Sequence, residues 1–310
     1  MDAITIEGLS KTFRPMWPWQ QATTVLTNVS LTVRQGEIFG FLGHNGAGKT
    51  TTMKILLGLL RGTSGSVEVL GAPAGEVGRH ARIGYLPESP YFYDYLTAEE
   101  FLTFYGKLAK LSPATVRERV PELLQRVGLE EARHRQLRKF SKGMLQRIGL
   151  AQAMIHDPEL VILDEPMSGL DPMGRKEVRD LILSLRDRGK TVFFSSHILS
   201  DVEMICDRVG ILAKGRVLAV GRVEDLVSEH IAQSVEVVCD GVVGDDIVLI
   251  KRHALRVLQR GNRCLIVLPG QDVLEDTLSA IREAGGKLVS VLPHKGSLEE
   301  IFVEQSMCRR

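Results

Sequence analysis

The stretch FGFLGHNGAGKTTTMKILLGLL, residues 39–60, passes from an apolar run through a glycine-rich turn into a helical pattern. Ile38, Phe39, Phe41 and Leu42 read as a buried strand. The spacing of Met53, Leu56, Leu57 and Leu60 reads as a helix face that Gly62 closes. Between them, Gly43, His44, Asn45, Gly46, Ala47, Gly48, Lys49 and Thr50, followed by Thr51, fit G-x-x-x-x-G-K-[ST] with strand and helix on the required sides. Such a turn suits a nucleotide's phosphate chain. Gly43, Gly46 and Gly48 let the backbone adopt conformations closed to other residues, so that successive N–H groups turn inward and form an anion nest. The helix N-terminus adds partial positive charge. Lys49 is expected to reach the β- and γ-phosphates, and the Thr50 hydroxyl to ligate a bridging Mg²⁺.

Working outward, LVILDEP (160–166) places Asp164 and Glu165 at the carboxyl end of a buried parallel strand, where open α/β sheets bind ligands. Asp164 is expected to hold Mg²⁺, and Glu165 to polarise the water that attacks the γ-phosphate. KTVFFSSH (190–197) carries His197 out of a neighbouring strand to the same sheet edge. The helical pattern between these strands argues for parallel pairing with a crossover helix.

On the amino-terminal side, Ile4/Ile6 and Leu31/Val33 alternate as in an antiparallel sheet covered on one face. SVEVLG and RIGYLPE add strand signals. From about 89 to 157 the pattern is helical, with Thr97 and Glu100 spaced as a capping box and Ser112-Pro113 as a helix start. RPMWPWQQ, with Trp17 and Trp19, reads as an insertion between two strands. Beyond a linker near 221–232, SVEVVCD, RCLIVLP and KLVSVLP read as strands, while DVLEDTLSAIREAG and SLEEIFVEQ read as helices. The expected organisation is a nucleotide-binding domain over 1–220 and a small α+β domain over 221–310.

With 39 Lys+Arg against 38 Asp+Glu, the formal charge is +1, so no global field recommends nucleic acid as a partner. No apolar run reaches the ~18–20 residues that span a bilayer, and MDAITIEGLS lacks secretory character, so the chain is expected in the cytosol. Cys206, Cys239, Cys264 and Cys308 are too scattered for a zinc spacing or a disulfide framework.

Over roughly 4–220 the chain resembles the ATP-binding subunits of ABC transporters. GHNGAGKTT is similar to their phosphate loop, GYLPE to the Q-loop, FSKGMLQR to the signature motif, LVILDEP to the Walker B strand, SGLD to the D-loop and SSH to the switch histidine. The spellings GYLPE and SKGM are similar to the bacterial branch that exports drugs, lipids or polysaccharides. This resemblance implies an α/β P-loop core with an antiparallel β subdomain and a helical insertion. It also implies ATP and Mg²⁺ as ligands and hydrolysis that drives a separate membrane permease.

Two such subunits, identical or not, would pair head to tail. Ser141 and Gly143 of one would then meet nucleotide held by the other, with Asp171 at the seam. A capped helix N-terminus gives this anion site a physical basis. Glu88 stands where relatives carry a glutamine that ligates Mg²⁺ and signals to the permease, and Lys142 where they carry glycine. Lys142 could supplement the phosphate field or face solvent. Phe13 matches the aromatic that stacks adenine, with Trp17 and Trp19 as alternatives. Through the permease, the subunit is expected at the cytoplasmic face of the membrane. Non-transport relatives acting on ribosomes or DNA, or a regulatory ATP-binding module, are the competing readings. One motif set, no heptads, and the presence of Glu165 and His197 weigh against them.

Overall fold

The computed structural model describes residues 1–14, 21–226, 235–242 and 254–293. Trp17, Trp19, the helix expected over SLEEIFVEQ, Cys308 and residues 227–232 of the expected linker lie outside them. The chain divides into two compact units, Met1–Val223 and Glu224–Arg310.

In the first unit, β1 (Asp2–Phe13) pairs antiparallel with β2 (Thr23–Arg34) and with β4 (Ser64–Val69). Ile4, Ile6, Leu31 and Val33 are buried, so period-two alternation here does mark one covered face. The second sheet contains β3 (Ile38–Leu42), β6 (Ile83–Leu86), β7 (Leu160–Leu163), β8 (Thr191–Ser196), β9 (Arg208–Ala213) and β10 (Arg216–Arg222). Its order is β10-β9-β3-β8-β7-β6, parallel except for β10. A two-residue strand, β5 (Ala72–Pro73), extends the first sheet.

Helices cover the parallel sheet, so β3, β7 and β8 are buried along their whole length and read as continuous apolar runs. Phe39, Phe41 and Phe193 meet across β3 and β8, with ring centroids 5.7 and 5.4 Å apart. Each such ring contributes about 1.5–3 kcal/mol through burial. Because this core is shared by adjacent parallel strands, the carboxyl ends of β3, β7 and β8 form one rigid edge. That edge positions the site.

The helix after the glycine-rich turn, α1 (Lys49–Leu56), ends earlier than its apolar spacing suggests. Gly58 takes φ 70°, and its N–H donates to Ile55 O while that of Leu59 donates to Lys54 O, closing a Schellman motif. A Cβ on Gly58 would lie 2.2 Å from Gly75 Cα, so backbone contact there stops the helix at Leu56, six residues before Gly62.

The inserted segment carries α2 (Ala98–Leu108), α3 (Pro113–Arg126) and α4 (Lys142–Met154). The Thr97/Glu100 capping box and the Ser112 cap both form. α5 (Pro172–Asp187) connects β7 to β8, and α6 (Leu199–Ile205) connects β8 to β9.

The second unit is a four-stranded antiparallel sheet with a helix. β11 (Val235–Asp240), β12 (Arg256–Arg260), β13 (Arg263–Leu268) and β14 (Lys287–Pro293) lie in the order β12-β13-β11-β14. α7 (Leu274–Glu283) links β13 to β14 across the intervening β11, a split βαβ arrangement. β12 carries only Val257 and Leu258 among polar neighbours, a pattern too weak to announce a strand in isolation. Val237, Cys239, Ile266 and Ile281 form this unit's core.

Candidate functional site

The turn from β3 to α1 borders a cleft of about 450 Å³. His44, Asn45, Gly46, Gly48, Lys49, Thr50 and Thr51 line it together with Val25, Glu88 and Glu165. Two of the glycines are needed for conformation, since Gly46 takes φ 80° and Gly48 φ 114°. Gly43 differs: its φ is not positive, and the requirement there is space, because a Cβ would fall 2.5 Å from Leu212 O. Ala47 is buried beneath the turn. Gly48 is the N-cap of α1 and offers no side chain, so that helix end is open for an external anion to complement.

Lys49 reaches back under the loop. Its Nζ donates to Gly43 O at 2.6 Å and stands 3.0 Å from Glu165 Oε1, both side chains being nearly buried at 6% and 7% exposure. The other carboxylate oxygen, Oε2, is 2.8 Å from His197 Nδ1. Glu165 is therefore held from both sides, by a cation from β3-α1 and an imidazole from the end of β8. It sits at φ 50°, a left-handed conformation that costs a non-glycine residue about 1–3 kcal/mol. His197 thus meets the carboxylate first, and reaches the cleft through it.

Asp164 is 1% exposed. Its Oδ1 accepts from Ser195 Oγ at 2.6 Å, while Oδ2 is buried with no hydrogen-bond partner. A buried carboxylate oxygen without a hydrogen-bond partner fits a hard cation that takes one or two protein oxygens and completes its shell from phosphate and water. Thr50, half-buried in the first turn of α1, and Asp164 would hold Mg²⁺ there. Nearby, burial and the Asp164 charge push the Tyr85 hydroxyl up to about 12.

Glu88 follows β6 by two residues and joins the cleft from the opposite side. Other expected site residues are not brought to it. Phe13 ends β1, 39% exposed, with Lys11 Nζ 4.9 Å from its ring centroid. Ser141 caps α4 by accepting from Met144 N, Gly143 lies in that helix's first turn, and Asp171 caps α5 by accepting from Gly174 N. Lys142 lies over the turn after β7: a Cβ on Gly169 would fall 1.9 Å from its Nζ. Two members of the site were missed in the sequence. Val25 looks like any strand residue, whereas Ser195 gave a usable signal, a polar side chain inside the otherwise apolar TVFF run's end.

A parallel sheet with a glycine-rich turn at one strand's carboxyl end, and paired acids at the end of another two places along, defines a P-loop nucleotide-binding protein. The family model described as ABC transporter matches residues 26–168. An ABC transporter ATP-binding protein from Nostoc sp. is 46% identical over 304 residues, covering 97% of this chain and 89% of that one. The bacitracin transport ATP-binding protein BcrA of Bacillus licheniformis is 46% identical over 194 residues, 62% of each chain. A solved ATP-binding subunit of an ABC transporter is 32% identical with a TM-score of 0.63, covering 74% of this chain and 93% of that one. The chain belongs to the ABC transporter ATP-binding family, whose domain binds ATP and implies ATPase activity. Among the described residues, no helix is long and apolar enough to cross a membrane.

Proposed function

We propose that the chain hydrolyses ATP to power a separate membrane permease, as an exporter's ATP-binding subunit at the cytoplasmic face of the membrane. The observation that carries this reading is Glu165, poised between Lys49 and His197 beside the glycine-rich turn. The turn's N–H groups and Lys49 bind the β- and γ-phosphates. Thr50 and Asp164, with Glu88 as a further ligand, would hold Mg²⁺, which would supply neutralisation of the charge developing on the transferred phosphoryl group. Glu165 orients the attacking water and accepts its proton at a carboxylate oxygen; His197 fixes the direction of that carboxylate.

Phe13 stacks the adenine ring. Ser141 and Gly143 of a second subunit, identical or related, present the α4 N-terminus to the γ-phosphate, with Asp171 at the seam between subunits. That these residues stand apart from the cleft within one chain supports a site completed by a partner. The names of relatives support the export reading, since one such protein is described by bacitracin transport and another by linearmycin resistance.

The test is ATP hydrolysis by the purified chain, alone and reconstituted with a candidate polytopic permease in lipid. Mg²⁺-dependent turnover that the permease stimulates is expected. Turnover indifferent to every permease would remove the transport role, and no turnover at all would remove the ATPase role.

A further inference from the structure

Ser195 is fully buried at the end of β8, between the two acids that follow β7. Its Oγ lies 2.8 Å from Glu165 N and 2.6 Å from Asp164 Oδ1. The direction of each bond follows from what the groups can do. A backbone N–H only donates, so Oγ must accept from Glu165, and the single hydroxyl hydrogen is left for Asp164. Asp164 then has Oδ1 occupied and Oδ2 unpartnered. The same contact ties the backbone of Glu165 at its left-handed φ of 50°.

We infer that Ser195 is a positioning residue for the proposed ATPase reaction, presenting Asp164 Oδ2 to the metal while holding Glu165 in the backbone conformation that places its carboxylate between Lys49 and His197. This rests on the ATPase reading above and adds a residue to it. The end of β8 and the residue after it thereby hold both acids that follow β7, Asp164 and the Glu165 backbone through Ser195 and the Glu165 side chain through His197 two residues on. Alanine at 195 would leave a buried N–H and a buried carboxylate oxygen each without a partner. Asp164 could then turn, and its preference for presenting Oδ2 would be lost.

The experiment uses the full chain and isothermal titration with adenylyl imidodiphosphate, a non-hydrolysable ATP analogue, once with Mg²⁺ and once with EDTA. Ser195→Ala should weaken binding about 10-fold with Mg²⁺, the lower end of the ~10–100-fold range for losing an outer-shell partner of a metal ligand. Binding in EDTA should stay at the wild-type value, which a general packing defect would not allow. Ser195→Thr restores a hydroxyl and should recover the Mg²⁺ gain; Ser195→Val has the same shape without it and should not. An unchanged ratio of the two affinities in Ser195→Ala overturns the inference, as does equal behaviour of the Thr and Val variants. Because the measurement needs no turnover, an inactive wild-type chain would count against the ATPase reading alone.

Discussion

Glu165 gathers a strained φ, a buried ammonium and an imidazole on one side chain. Glu165→Gln preserves the shape and removes the proton acceptor, so ATP binding should persist while turnover falls by ~10²–10⁴, the range for a positioned base. The ATP-bound dimer should then accumulate, visible by size-exclusion chromatography with ATP and Mg²⁺. An unchanged hydrolysis rate would take Glu165 out of the proposed role. A neighbouring acid of the same charge, Asp164, is not expected to substitute for it, because Ser195 already occupies one of its oxygens and the other is the proposed Mg²⁺ ligand.

At the level of elements, β8 is flanked in the chain by α5 and α6. α6 has seven residues and no side-chain cap, too short to stand by its own hydrogen bonds. It is tied to α5 by Asp201, whose Oδ1 accepts from Arg179 at 2.7 Å and whose Oδ2 lies 3.9 Å from Arg175. The carboxylate side chain is only 3% exposed. Arg179→Ala leaves that charge buried with the more distant Arg175, and should lower stability by about 2–4 kcal/mol, somewhat less than complete loss of a buried pair's partner. A lower urea midpoint with unchanged slope is the expected signature. Since α6 begins two residues after His197, ATPase activity should also fall in conditions where the variant remains folded.

Two predictions belong to the whole molecule. The cleft and both acids lie within the unit that ends at Val223, so a fragment of residues 1–223 should bind ATP as the full chain does. A folded fragment without ATP binding, judged by circular dichroism and titration, would show that the second unit supplies part of the site. Glu88 lines the cleft and lies on the chain between β6 and the helical segment that starts at Ala98. We propose that Glu88 reports the nucleotide to that segment and, through it, to the proposed permease. Glu88→Ala should leave ATP bound, with the Mg²⁺ contribution reduced by the lost ligand, and abolish permease-dependent stimulation of hydrolysis, because Lys49 and Thr50 still hold the phosphates. Equal stimulation in variant and wild type would end the coupling role without touching the chemistry at Glu165.

The sequence by itself determined the elements whose signals are local. The strand-turn-helix around Lys49, the capping box at Thr97, the Ser112-Pro113 helix start and the buried runs of β7 and β8 are all set by residues close in the chain. Backbone conformational limits and period-two or 3.6-residue burial act over such short distances. What only the tertiary structure decided are contacts between residues far apart. α1 stops at Leu56 because Gly75 backs onto Gly58 just beyond it, and Gly43 is glycine because Leu212 O crowds it. Lys49, Glu165 and His197 meet only because β3, β8 and β7 are adjacent in the sheet. Ser195 becomes the link between two acids for the same reason, since strand adjacency is settled by burial of the shared Phe39, Phe41 and Phe193 core, which no local pattern encodes.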